Sequence, residues 1–202
     1  MGKELEIKFS LEDKDYSIFQ DWLKNNAEAE GREEHEEWYI NNPASSFNFD
    51  RNGLKDADNY FRIRKTNQNE ASVTLKLWQP DPEKPGHHTH CIEHEFKTSD
   101  LDSTRDLFQA LGYTDITKVI KSREIYNYDV FEIVIDNVKE LGIFIEVELK
   151  EEFNDPKAGH RKIKLFLKDT GIEKIKEQTR GYVSMFWNPE HDHGVTKYMK
   201  DY

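Results

Sequence analysis

The sequence predicts an α+β fold built mainly on antiparallel β-structure, with ionised residues gathered on one face of the sheet. Three observations carry this reading. Segment after segment alternates apolar and charged residues with period two, hairpin-like spacings separate those segments, and only three or four stretches show helical spacing instead. A solvated sheet face normally mixes Thr, Ser, Gln and Lys. Here it is almost wholly carboxylate and cation, as expected for charges that face each other across a lumen.

The elements follow in order. Lys3 to Phe9 sets Glu4, Glu6 and Lys8 on one side of an extended chain and Leu5, Ile7 and Phe9 on the other. Residues 10–31 read as a helix through Tyr16, Phe19, Trp22 and Leu23, with Gly31 as its terminator. The run Glu33-Glu34-His35-Glu36-Glu37 reads as a solvated loop or strand entry, leading to a strand at Trp38-Tyr39-Ile40 and an irregular connection through Asn41, Asn42 and Pro43. Residues 51–59 form a loop with a turn at Asn52-Gly53 and an end at Asp58-Asn59. The next strand opposes Arg62 and Arg64 to Phe61 and Ile63, and the one after it opposes Lys76 to Val73, Leu75 and Leu77. Gln79 to His90, broken by Pro80, Pro82, Pro85 and Gly86, reads as a long hairpin loop. Its His87, His88 and His90 suit a flexible polar loop better than a transition-metal site.

Glu93, Glu95 and Lys97 then align on one strand face. A second helix spans about Ser99 to Leu111, capped by Ser99 or Asp100, with Leu107, Phe108 and Leu111 as its apolar face and Gly112 closing it. Lys121 and Arg123 stand two apart, Glu132 and Asp136 share a parity, and Glu146, Glu148 and Lys150 share another. A third helix starts at Asp155-Pro156 and turns Ile163, Phe166 and Leu167 inward; Gly171 interrupts it, and Ile172 to Thr179 reads as a further short helix. Residues 187–202, with His191-Asp192-His193, read as a solvated terminal segment.

Composition sets the bounds. At 202 residues the chain suits one domain with a substantial core, although only 36% of it is hydrophobic and 34% is charged. A net charge of −11 argues against a nucleic-acid or anionic-membrane surface. It leaves room for a small polyanion held by a local cluster of Arg and Lys. The sequence has no stretch resembling a membrane helix or signal peptide, and its single cysteine, Cys91, suits a buried strand position in a cytoplasmic protein. A homodimer is left open.

Glu4-x-Glu6-x-Lys8 resembles the ExExK signature of the CYTH superfamily, the triphosphate tunnel metalloenzymes, which include class IV adenylate cyclases, thiamine triphosphatases and inorganic tripolyphosphatases. Further landmarks follow in the family's order: Arg62 and Arg64, Lys76, Glu93 and Glu95, Lys121 and Arg123, Asp136, the Glu146-x-Glu148 strand, and Arg180-Gly181-Tyr182. The resemblance runs from about residue 3 to about residue 186. It implies one CYTH domain whose sheet closes into an eight-stranded antiparallel barrel with amphipathic helices packed outside, and residues 187–202 as an extension.

The resemblance also implies a chemistry. A triphosphate needs several cations along its length, and Lys8, Arg62, Arg64, Lys76, Lys121, Arg123 and Arg180 supply them. Carboxylates repel such a substrate unless a divalent cation intervenes, so Glu4, Glu6, Glu146 and Glu148 are expected to hold Mg²⁺ or Mn²⁺. The competing reading is mutual salt-bridging of these Glu and Lys residues. Asp136, Glu93 or Glu95 is expected to act as base or second-metal ligand, with Lys76 assisting catalysis. Hydrolysis of a triphosphate (tripolyphosphate, a nucleoside triphosphate or thiamine triphosphate) is favoured. The alternatives are cyclisation of ATP to cyclic AMP and non-catalytic binding of polyphosphate.

Overall fold

A computed structural model describes residues 2–202 except 43, 45, 47, 52, 58, 68, 69 and 84–87. Pro43, Asn52, Asp58, Pro85, Gly86 and His87 therefore lie outside the described residues. The chain begins with β1 (Gly2–Glu4), β2 (Glu6–Ser10), α1 (Asp13–Asn26) and the long β3 (Glu28–Asn41). A small hairpin, β4 (Asn48–Arg51) and β5 (Leu54–Ala57), precedes β6 (Asn59–Thr66), β7 (Ala71–Pro80) and β8 (His88–Thr98). Then come α2 (Leu101–Ala110), β9 (Thr114–Tyr128), β10 (Phe131–Val138), β11 (Gly142–Leu149) and α3 (Pro156–Asp169). The chain ends with β12 (Lys174–Gln178), α4 (Tyr182–Trp187), β13 (Gly194–Tyr198) and a 3₁₀ turn, Met199–Asp201. Among the described residues no helix is long and apolar enough to cross a membrane.

One antiparallel sheet carries everything else. Its order is β1-β8-β7-β6-β3-β9-β10-β11-β2-β12-β13. The closed eight-stranded barrel expected from the resemblance is not what this ladder forms: among the described residues it is an open succession of eleven strands. The reason lies at Leu5. The N-terminal stretch breaks there into two short strands that pair at different places, Glu4 opposite Cys91 on β8 and Glu6 opposite Glu148 on β11. Leu5 itself accepts a hydrogen bond from the Leu149 N–H at 2.9 Å.

The apolar faces of the strands are covered as the period-two pattern requires. Leu5, Ile7, Phe9, Ile133, Ile145 and Val147 pack with Phe19 and Leu23 of α1 and with Ile163, Phe166 and Leu167 of α3. Each of these side chains contributes roughly 1.5–3 kcal/mol by leaving water. Asp155 caps α3 through the Lys157 N–H, with Pro156 in the first turn. Gly159 faces Leu5 so closely that a Cβ there would meet its Cδ1 at 3.0 Å.

Four local expectations are corrected. Helix α1 ends at Asn26, and Gly31 (φ +147°) instead sits in β3 at a register shift against β9, where one strand carries an extra residue. Ile172 to Thr179 is not a helix. Ile175 lies inward between Lys174 and Lys176, and β12 pairs with both β2 and β13, so an available strand edge outweighs the helix-like spacing of Ile172 and Ile175. Residues 187–202 are not a solvated tail, since β13 joins the sheet and Met199 is buried in the main core. Finally, α2 packs through Phe108 on Phe61 (ring centroids 5.0 Å apart), while Leu107 and Leu111 of its expected apolar face are 58% and 61% exposed. The Asp100 cap of α2 and the burial of Cys91 hold as expected. The hairpin joining β7 to β8 also forms, but its ladder takes in Gln79 and Pro80 on one side and His88 to His90 on the other, residues expected in the loop.

Two substitutions separate covered from uncovered apolar residues. Leu5→Ala is expected to lower stability by about 2–5 kcal/mol in denaturant titration. Leu107→Ala should stay within about 0.5 kcal/mol of the parent. A comparable loss in both would mean that α2 is packed through Leu107 after all.

Candidate functional site

The ionised faces of the strands converge on one cavity of about 300 Å³. Alternation places each group: Glu6 and Lys8 come from β2, Arg62 and Arg64 from β6, and Lys121 and Arg123 from β9. Seven cationic and seven carboxylate side chains line it, so the cavity is nearly neutral although the chain as a whole is acidic.

Beneath the cations lie two fully buried carboxylates. Glu37 on β3 accepts from Arg64 Nε at 2.9 Å, Arg62 at 3.3 Å and the Tyr39 hydroxyl at 2.9 Å, with Lys121 Nζ 3.6 Å away. Asp136 on β10 accepts a two-pronged bond from Arg123, both prongs 2.7 Å, a bond from Lys121 at 2.9 Å and one from the Tyr182 hydroxyl at 2.9 Å. Burial by itself raises both carboxyl pKa values. Lys121, Arg62 and Arg64 outweigh it at Glu37, and Arg123 and Lys121 outweigh it at Asp136, so both fall below the ordinary carboxylate range. Four cavity cations are thereby held in fixed positions from behind.

The four predicted metal-binding carboxylates divide into two kinds. Glu4 is held by Lys76 at 2.5 Å, and Glu146 by Lys8 at 2.9 Å and Arg123 at 2.7 Å. Glu6 and Glu148 stand directly opposite each other on β2 and β11. Glu6 makes no ion pair among the described residues, and Glu148 meets only Lys150, at 3.2 Å. Burial and the nearby charges of Glu146 and Glu4 push Glu6 up to about 8, and burial with the Glu4 charge pushes Glu148 up to about 7. Among the described residues no three His, Cys, Asp or Glu side chains stand close enough to hold a metal ion by themselves. Two facing carboxylates with excess negative charge nevertheless suit a hard divalent cation, which takes one or two carboxylates and completes its shell with phosphate oxygens and water.

The remaining predicted groups are placed as follows. Lys76, Glu93 and Glu95 face the cavity, with Glu93 3.7 Å from Lys76 and Glu95 accepting from Thr74 at 2.7 Å. Arg180 borders an adjoining chamber and pairs with Asp56 at 3.2 Å. Asp136 has both oxygens occupied and lies behind the wall. Sequence reasoning assigned no role to Glu37, Tyr182 or Glu132, although Tyr182 stood among the ordered landmarks and Glu132 shared the parity of Asp136. Glu37 was hidden in an acidic run read as solvated, although its parity with Tyr39 was a usable signal. Tyr182 sits two residues beyond Arg180, and its hydroxyl also reaches Glu146 at 3.3 Å while Lys8 stands 3.9 Å from its ring.

A cavity walled by paired cations and carboxylates, supplied by one strand after another of an antiparallel sheet, defines a binder of small polyanions. Comparison with known proteins narrows that class: the model of the CYTH domain matches residues 2–182, and the chain belongs to this family. A candidate adenylate cyclase of Methanocaldococcus jannaschii is 30% identical over 94 residues, 46% of this chain and 54% of the relative, so the match spans about half the length of that protein. Among solved structures, the PH1819 protein of Pyrococcus horikoshii is similar over 92% of this chain and 99% of its own, with a TM-score of 0.73 and 26% identity. An adenylyl cyclase candidate from Hippeastrum, described as having a dominant triphosphatase activity, shares the fold over 92% of this chain and 95% of its own, with a TM-score of 0.59 and 15% identity.

The raised carboxyls tie the site to stability. At Glu6 and Glu148 the folded chain keeps protons that the unfolded chain has released, so this contribution is full below about 4.5 and is lost as pH rises through about 7 and 8. His35, which burial, helped by Arg64, lowers to about 4, acts oppositely but only below its ordinary value of 6.5. Without divalent cations the melting temperature is therefore expected to fall between about pH 6.5 and pH 8. Glu6→Gln should flatten that fall, and Mg²⁺ should raise the melting temperature more at the upper end. A flat profile in the parent would remove the excess charge from Glu6 and Glu148.

Proposed function

We propose that this protein is a divalent-metal-dependent phosphohydrolase that cleaves a triphosphate bound in the charged cavity. One observation carries the reading: Glu6 and Glu148 stand opposite each other, Glu6 with no ion pair among the described residues, beside cations that Glu37 and Asp136 fix from behind. A purely structural charge network would pair Glu6 as well. Glu6 and Glu148, with Glu4 and Glu146 at their flanks, would hold Mg²⁺ or Mn²⁺. When bound, such an ion supplies Lewis-acid stabilisation of charge on the phosphoryl oxygens.

The chain's own residues do the positioning. Arg62, Arg64 and Arg123 present planar forks to phosphate oxygens, while Lys8, Lys76 and Lys121 act as point charges along the chain. Phosphoryl transfer depends mainly on this placement and on stabilising charge that develops in the transition state. Asp136 positions Lys121 and Arg123. Glu93 and Glu95 are the cavity-facing carboxylates suited to take the proton of attacking water. The N-terminal segment, tied to β8 on one side of Leu5 and to β11 on the other, sets Glu4 and Glu6 beside two different strands of the wall. The protein acts in the cytoplasm.

A second reading, cyclisation of ATP to cyclic AMP and pyrophosphate, is favoured by the name of the Methanocaldococcus jannaschii relative. Product analysis decides. With Mg²⁺ or Mn²⁺, tripolyphosphate is expected to yield orthophosphate, and chelator should abolish the reaction. Accumulation of cyclic AMP and pyrophosphate from ATP, with tripolyphosphate left intact, would establish the cyclase instead.

Substitution tests the division of labour. Arg64→Ala is expected to lower kcat/KM by about 10²–10³-fold, the usual loss for a transition-state donor. Asp136→Asn should lower kcat/KM while leaving the shape of the pH–rate profile unchanged. Loss of the acidic limb in that variant would make Asp136 the base.

A further inference from the structure

Strand β8 is unevenly covered. On the side away from β7, β1 pairs with it only at Cys91, Ile92 and Glu93. From His94 to Thr98 the strand has β7 on one side and, among the described residues, no strand on the other. Its outward backbone N–H and C=O groups are therefore a template for a further strand. Edges that must stay single are commonly blunted by a proline or a bulge. Neither occurs here: His94 to Thr98 contains no proline, and the register shift of the β7–β8 ladder lies at the far end, between Gln79 and Pro80.

Phe96 stands at the middle of this edge. It alternates with Glu95 and Lys97, so it projects from the face opposite the charged cavity. Its register partner Val73 is buried in the small core that Phe108 of α2 joins. Thr98, on the same face as Phe96, is tied to Thr104 of α2 at 3.0 Å. Phe96 itself remains 55% exposed.

The edge is complementary to itself. Two copies pairing antiparallel in one continuous sheet set residues of the same face opposite each other, so the two-fold axis passes through a residue position. Centred on Glu95 it opposes two glutamates, and centred on Lys97 two lysines. Centred on His94 it runs into β1, and centred on Thr98 it runs off the end of the strand. Centred on Phe96 it opposes Phe96 to Phe96, Glu95 to Lys97 and His94 to Thr98. That register uses all five edge residues, with aromatic against aromatic and unlike charges facing.

We propose that the edge of β8 is a homodimer interface, taken by the same edge of a second copy of this chain with Phe96 on the two-fold axis. The pairing reaches the charged cavity. Glu95 lines that cavity and has no ion pair among the described residues, and the partner's Lys97 supplies one. Lys97 otherwise pairs with Glu70 at 3.0 Å, an exposed contact that is readily exchanged. The interface holds whichever reaction the cavity performs.

Sedimentation velocity of the full chain tests it, and the parent protein is expected to form a dimer. Lys97→Glu and Glu95→Lys should each weaken self-association about tenfold or more, because each makes the facing charges alike. An equimolar mixture of the two variants should recover the dimer, since each chain then meets opposite charge, and recovery also shows that both have folded. Phe96→Cys should cross-link under mild oxidation, as opposed Cα atoms about 4.5–5.5 Å apart allow. The parent, whose Cys91 is buried, should not. A parent protein that stays monomeric at the highest concentration reached overturns the proposal. So does a dimer that both charge variants leave unchanged, a mixture that fails to associate, or a Phe96→Cys chain that does not cross-link.

Discussion

The structure depends on two carboxylates that never meet solvent. Glu37 and Asp136 are each fully buried, and between them they hold Arg62, Arg64, Lys121 and Arg123. Bringing so much charge into a protein interior is unfavourable unless every group is paired, and removing one partner of a buried pair typically costs about 3–5 kcal/mol. The two anchors also bind the sheet together across its middle. Glu37 joins β3 to β6 and β9, and Asp136 joins β10 to β9 and to the start of α4 through Tyr182. Fixed cations result, and a polyanion then meets them without first having to organise them.

Apolar burial explains how such a charged interior is tolerated. The alternate residues of the same strands, Leu5, Ile7, Phe9, Ile133, Ile145 and Val147, are buried beneath α1 and α3. These strands therefore have an oily back and an ionised front, and the stability from the back supports the front. The break at Leu5 is where both demands meet. The residue fills the core against Gly159 while Glu4 and Glu6, on either side of it, enter two different ladders.

Sequence reasoning was most reliable where one rule governs. A strand repeats every two residues, so the parity of Arg62 with Arg64, of Lys121 with Arg123 and of Glu146 with Glu148 follows from local spacing alone. It failed where partners decide. Ile172 and Ile175 fit a helix by spacing, yet Ile175 lies in β12, a strand held between β2 and β13. Leu107 and Leu111 form a helical stripe that nothing covers. Glu37 looked like one more acid in a solvated run, yet it alone of that run's carboxylates lies against Arg62, Arg64 and Lys121.

What the sequence by itself determined is the inventory and the side of the sheet on which each charge stands, because both follow from residue type and local backbone period. It also carried enough ordered landmarks to resemble the CYTH family, to which the chain belongs. Only the tertiary structure decided which charge meets which. Asp136 turned out to lie behind Lys121 and Arg123, Arg180 to face the adjoining chamber, and Glu6 to stand opposite Glu148 with no ion pair among the described residues. The reason is physical: ionic pairing depends on distances of a few ångströms between strands remote in sequence, and those distances are set by register and twist, which the pattern of a single strand does not contain.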